Sequence, residues 1–138
     1  MKKILLILTF ALLAGSASQA QEDDNDKIRD KMREFIQKRL NLTRNEAERF
    51  APVFVRYFRE WRQTLREHKD DMLERQKRIV DLRIRYRPEF REIVGEKRST
   101  EIFRQQEVFI DNLRKVREEQ TRSRKDDRPN KRFRTLVQ

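Results

Sequence analysis

One histidine, no cysteine and three methionines limit the chemistry open to this 138-residue chain. His68 and Met72 lie about one helical turn apart and Met32 lies elsewhere. Together they are the nearest approach to a soft-metal set of the kind that takes copper or nickel. One imidazole and two thioethers do not fill a coordination sphere, and both methionines fall in apolar stripes, so they read as filler in a helix seam. Glu67, Asp70, Asp71 and Glu74 form a small acidic cluster, but each has Lys or Arg beside it and no two are spaced for acid–base work. The absence of cysteine removes thiolate ligands, disulfides and a thiol nucleophile. A single histidine argues against a Ser-His-Asp arrangement, and no glycine-rich loop is present to cradle a phosphate. Neither catalysis nor a metal or cofactor is expected.

The residues that suggest binding are of another kind. Phe50, Phe54, Phe58 and Trp61 recur at three- and four-residue steps and are interleaved with Arg56, Arg59 and Arg62. Arginine stacks on aromatic faces as readily as it pairs with carboxylate or phosphate, so this segment is a candidate surface for client or partner proteins. The same aromatics would alternatively be core between helices. The chain holds 35 Lys and Arg against 24 Asp and Glu, a net charge of +11, with 43% of residues charged. That excess also fits nucleic acid, but the N-terminus points to a compartment that offers little of it.

Lys2 and Lys3 precede an apolar run from Ile4 to Leu13, and Ser18-Gln19-Ala20 places small residues where a signal peptidase reads them. Residues 1–20 therefore read as an export signal cleaved after Ala20, and the destination expected is the bacterial periplasm. The run is about half the ~20 residues needed to span a bilayer. Lys2 and Lys3 are the only charges in that segment, so residues 21–138 keep 33 basic and 24 acidic residues. Their apolar supply is thin for a compact core. Long helices with a narrow apolar stripe make the best use of it.

Two Gly and three Pro are too few for a turn-rich β fold, and the periodicity is helical throughout. Ile28, Met32, Phe35, Ile36 and Leu40 mark a first helix of about four turns, broken at Asn41-Leu42. Thr43-Arg44-Asn45-Glu46 has the spacing of a capping box. Beyond it, positions 58, 61, 65, 68, 72, 75, 79, 82 and 86 step by three and four without interruption. This pattern predicts one rod from Thr43 to Tyr86, kinked at Pro52 and roughly 65 Å long at 1.5 Å per residue. Arg87-Pro88 is expected to end the rod or bend it sharply. Gly95 punctuates, and a last helix starts near Glu96, carries Ile102, Phe103, Phe109, Ile110, Leu113 and Val116, and fades near Gln120. Residues 121–138, with seven basic and two acidic side chains, read as a disordered cationic tail.

At Leu42-Thr43-Arg44-Asn45-Glu46 the chain resembles the Leu-Thr-x-x-Gln signature of the Spy/CpxP family of periplasmic stress proteins, with Glu46 in the place of Gln. The stretch from Tyr86 to Val94, followed by a helix bearing Ile102-Phe103, is similar to the Spy-like variants of the Bacteroidetes that are labelled sensors of extracytoplasmic-function sigma factors. The resemblance covers roughly residues 24 to 118. The second copy of the signature is missing, since Val94-Gly95-Glu96-Lys97-Arg98 keeps the place but not the residues. The family implies a curved all-α cradle over residues 21–120, usually an antiparallel homodimer, acting as an ATP-independent chaperone or an envelope-stress modulator. The partners implied are unfolded or membrane-associated proteins, or the periplasmic part of an anti-sigma factor or sensor kinase. A second likeness, to the trimeric holdase Skp for outer-membrane proteins, lacks the strand-period segments that its β body requires. The uncovered stripe of a single long rod also predicts a homodimer, with Arg75 and His68 at the seam setting its register.

Overall fold

The computed structural model describes the backbone of residues 2–126 and the side chains of residues 21–126. Four helices make up this span and no strand occurs in it: α1 (Lys2–Arg39), α2 (Arg44–Glu67), α3 (Met72–Val94) and α4 (Glu96–Asp126). Each helix packs on its neighbours in chain order, and α1 closes the ring on α4. The cross-helix pairs set every neighbour antiparallel. Arg62 of α2 reaches Asn25 of α1, Tyr86 of α3 reaches Glu60 of α2, Arg83 of α3 reaches Glu107 of α4, and Phe35 of α1 meets Phe109 of α4. The all-α expectation holds, in the form of an up-down-up-down four-helix bundle.

The single rod does not exist. Its apolar seam stays in register across residues 58 to 86, but the chain reverses at residues 68–71 and the seam folds back on itself. α2 stops at Glu67, where His68 caps it with its own N–H on the Thr64 carbonyl. Asp71 then opens α3 by accepting the Glu74 N–H at 3.0 Å. Asp71-Met72-Leu73-Glu74 has the same cap spacing as Thr43–Glu46, so the supposed acidic cluster is a helix start. Arg75 belongs to this turn, because its Nη1 donates to the carbonyls of His68 and Lys69 at 3.3 and 2.8 Å. Those are among the orphan carbonyls that end a helix.

Pro88 also behaves otherwise than expected. α3 runs through it to Val94 without a stop. Pro88 and Pro52 both lie on exposed faces, where water can serve the carbonyl that each leaves unbonded. Beyond Pro88, Phe90 and Val94 are core residues, so packing holds the helix past a residue that local preference would use to end it. Gly95 does terminate α3, at φ 86°, a conformation glycine adopts without penalty. The last helix starts at Glu96 as read but continues past Gln120 to Asp126, six residues into the expected tail. The remainder of that tail lies outside the described residues, as do the side chains of the proposed export signal.

The core is aromatic. α2 supplies Phe50, Val53, Phe54, Tyr57, Phe58 and Trp61, α3 supplies Leu82, Tyr86, Phe90 and Val94, α1 supplies Met32, Ile36 and Leu40, and α4 supplies Ile102 and Phe103. Four of the residues expected to meet clients, Phe50, Phe54, Phe58 and Trp61, are therefore interior. The chain covers its own stripe, and burying these rings needs no second copy. Phe54→Ala will lose about 3–5 kcal/mol of stability, the usual cost of emptying a buried phenylalanine site. Leu73→Ala, on the outside of α3, will stay within about 0.5 kcal/mol of the parent. Urea unfolding followed by far-UV circular dichroism measures both, and equal midpoints for the two variants would place Phe54 outside the core.

Candidate functional site

The family-like motif is a junction of helices. The Thr43 N–H donates to Glu46 Oε1 at 3.0 Å while the Glu46 N–H donates to Thr43 Oγ1 at 3.2 Å, completing the capping box. Arg98 of α4 then grips both oxygens of Glu46. The same guanidinium donates to the Val94 carbonyl at the end of α3 and, at 3.4 Å, to the Leu40 carbonyl beyond the end of α1. Arg98 and then the Thr43 N–H hold the Glu46 carboxyl below the ordinary carboxylate range. Leu42 packs on the edge of the core beside them. Leu42, Thr43 and Glu46 thus tie four helix ends together, with Arg98 as the residue that the sequence reading left unassigned.

The three arginines of the expected client surface are separated. Arg56 turns toward α3 and pairs with Glu89 at 2.7 Å. Arg59 and Arg62 turn the other way, toward α1, where they line a groove with Arg66 and Arg29. Arg62 is partly buried and donates to Asn25 Oδ1 at 2.7 Å. The structure brings Arg59 and Arg62 together over the largely buried Phe58, which also lines that groove, and leaves Arg56, Phe50, Phe54 and Trp61 out of it.

Between α2, α3 and α4 lies a polar network. The Tyr57 hydroxyl donates to Gln106 Oε1, and Arg83 donates to that same oxygen at 3.1 Å and to Glu107. On the other side of α3, the Tyr86 hydroxyl donates to Glu60 Oε1 at 2.6 Å and Arg85 donates to Glu60 Oε2 at 2.9 Å. The Tyr86 bond, then Arg85, holds the Glu60 carboxyl below its usual range. None of these groups faces a cleft with a nucleophile beside it. The network joins α2, α3 and α4 and fixes their register. No group of three or more potential metal-ligating side chains occurs among the described residues.

The surface that the sequence reading passed over is the outer face of α3. Leu73, Val80 and Ile84 are 73%, 52% and 55% exposed. Positions 73, 77, 80, 84, 87 and 91 step by four and three, so these side chains form one line along the helix, continued by Lys77, Arg87 and Arg91. The signal was present as a second heptad beside the buried one through 75, 79, 82 and 86. Two seams on one helix are easily read as one broad face. Met72, read as seam filler, is also exposed.

Comparison with known proteins found no matching family model, no similar curated sequence and no similar solved structure. Among the described residues, no helix is long and apolar enough to cross a membrane.

The two tyrosines give the polar network a pH signature. Burial, and then the bond to Glu60, pushes the Tyr86 phenol from 10.0 up to about 12. Burial likewise raises Tyr57. The unfolded chain releases the Tyr86 proton from about pH 10, the folded chain only near pH 12. The stabilisation is whole below pH 10.0 and is lost as pH rises toward 12. In Tyr86→Phe the fall of stability across that window will be shallower than in the parent. Phenolate absorbance checks the premise, because native protein titrating with a midpoint near 10 would mean that Tyr86 is free of Glu60.

Proposed function

We propose that this chain is a non-enzymatic binding protein of the bacterial cell envelope, acting as an ATP-independent holdase for unfolded or membrane-associated proteins. The observation that carries this reading is the exposed stripe Leu73–Val80–Ile84, set on a strongly basic molecule. Large apolar side chains aligned on one exposed face, here interrupted only by Lys77, are a recurrent mark of protein interaction. Lys77 within the line and Arg87 beyond it add long-range attraction for acidic chains, which salt weakens. The envelope location rests on Lys2 to Ala20, read as an export signal, and the likeness at Leu42–Glu46 agrees with it. The working surface is moved from the α2 aromatics, which are interior, to the outside of α3.

A second reading is a dedicated regulator that binds the periplasmic segment of an anti-sigma factor or sensor kinase. The regular four-and-three spacing along α3 favours it, since one amphipathic partner helix would lie in register with that line. The two readings share the surface and differ in breadth of partner.

At stoichiometric concentration the full chain is expected to suppress the aggregation of several unrelated heat-denatured proteins, measured by light scattering. The triple variant Leu73→Ser, Val80→Ser, Ile84→Ser will fold normally, because all three side chains are exposed, and will lose most of that suppression. A triple variant as protective as the parent would remove the α3 surface from the proposal. No suppression by the parent itself would overturn the holdase reading.

A further inference from the structure

Arg62 is held in an environment short of negative charge. Its Nε is buried and has no hydrogen-bond partner among the described residues, and its one neutral partner is Asn25. Burial, and after it the nearby Arg66 and Arg117, pushes the guanidinium below its ordinary range. Arginine ordinarily meets burial by pairing with a carboxylate, and Arg62 makes no ion pair with any described residue.

Immediately inward of Arg62 the bundle opens. A cavity of about 370 Å³ lies among all four helices near the α2–α3 turn. Its wall is made by Ile28, Met32, Leu65, Ile79, Ile110 and Leu113, with Trp61 at one side. Arg62 and Arg117 are the cations that line it. The one carboxylate among the described lining residues, Glu107, is paired with Arg83. On its outer side Arg62 also lines a groove of about 410 Å³ with Arg59 and Arg66, where Glu22 and Asp26 contribute acid and Asp26 pairs with Arg29 at 2.8 Å.

We infer that this end of the bundle binds a single-chain anionic amphiphile, a fatty acid of about twelve carbons, with the chain in the apolar cavity and the carboxylate between Arg62 and Arg117. The size of the cavity, at the small end of the ~300–1,000 Å³ usual for ligand sites, suits one chain. Two arginines provide planar donors for a carboxylate, and the bound charge removes the mutual repulsion that the empty site carries. The chain gains by leaving water for a wall that is apolar on every helix. This site uses the inner face of α3, through Ile79, and is independent of the outer stripe at Leu73, Val80 and Ile84.

Trp61 is the only tryptophan in the chain, so its fluorescence reports the cavity directly. The full chain is titrated with dodecanoate below its micelle concentration, with dodecanol as the same chain without charge and with inorganic phosphate as charge without a chain. Dodecanoate is expected to give a saturable change near one equivalent, dodecanol to bind at least tenfold more weakly, and phosphate to give no change. Arg117 is exposed, so Arg117→Gln will keep the fold. It and Arg62→Gln will each weaken dodecanoate at least tenfold while leaving dodecanol binding as it was. No saturable change with dodecanoate overturns the inference. So do equal affinity for the alcohol, equal affinity for phosphate, or an Arg117→Gln variant that binds like the parent. The triple α3 variant will bind dodecanoate normally, so this result and the aggregation result can fail separately.

Discussion

Tyr57 is where three of the four helices meet. Its ring packs against Phe54 on its own helix, Tyr86 and Phe90 on α3, and Phe103 on α4, with centroids 5.5 to 6.0 Å apart. Its hydroxyl bonds to Gln106 of α4, whose carbonyl is shared with Arg83 of α3. An aromatic in this position supplies both large apolar burial and a polar tip that needs a partner. The partner fixes the rotation of α4 as firmly as the ring fixes the approach of α3. With few apolar residues available from α4, this one side chain makes the α2–α3 pair and the α4 packing parts of the same core.

The bundle uses arginine to complete its helix ends. Arg98 holds Glu46 and two terminal carbonyls, Arg75 holds the carbonyls of the α2–α3 turn, and Arg39 donates to the part-buried Gln105 at 3.1 Å. Arg98 and Arg75 satisfy carbonyls that the helix ends leave open, and Arg39 satisfies a side-chain amide within α4. The surface ion pairs, such as Arg44 with Glu48 and Arg78 with Glu74, add little individually. This division explains how a chain with 43% charged residues can still be specific. Most of its charges that face the interior have partners, with the buried Nε atoms of Arg33 and Arg62 as the exceptions among the described residues, and the surplus is left on the surface. Polar completion of the interior and cationic character outside come from the same residue type.

How far the sequence could be read differs from element to element. The Thr43–Glu46 box was legible because capping is local chemistry, set by four adjacent residues. So were the break at Asn41, the stop at Gly95 and the start of α4. The α2–α3 turn was not, although Asp71 and Glu74 carry the same signal as Thr43 and Glu46, because the apolar period runs through the turn without losing phase. A seam that continues and a seam that folds back show the same spacing. Only the distance between Phe50 and Phe90, with ring centroids 5.5 Å apart, separates a hairpin from a rod.

The sequence by itself determined that this chain is helical, basic, free of thiol chemistry and capped at Thr43, since composition and neighbour-to-neighbour bonding suffice for each. The tertiary structure alone decided which apolar residues face inward. Phe50, Phe54, Phe58 and Trp61 have the same types and spacing whether they meet a client or α3, and their burial depends on the chain reversal between Glu67 and Met72. Leu73, Val80 and Ile84 are left outside for the same reason, because α3 has only one face that can pack against α2 and α4 at once. The environment of Arg62 is likewise a product of assembly: Asn25, Arg66 and Arg117 come from three helices, and no spacing along the chain announces that they meet.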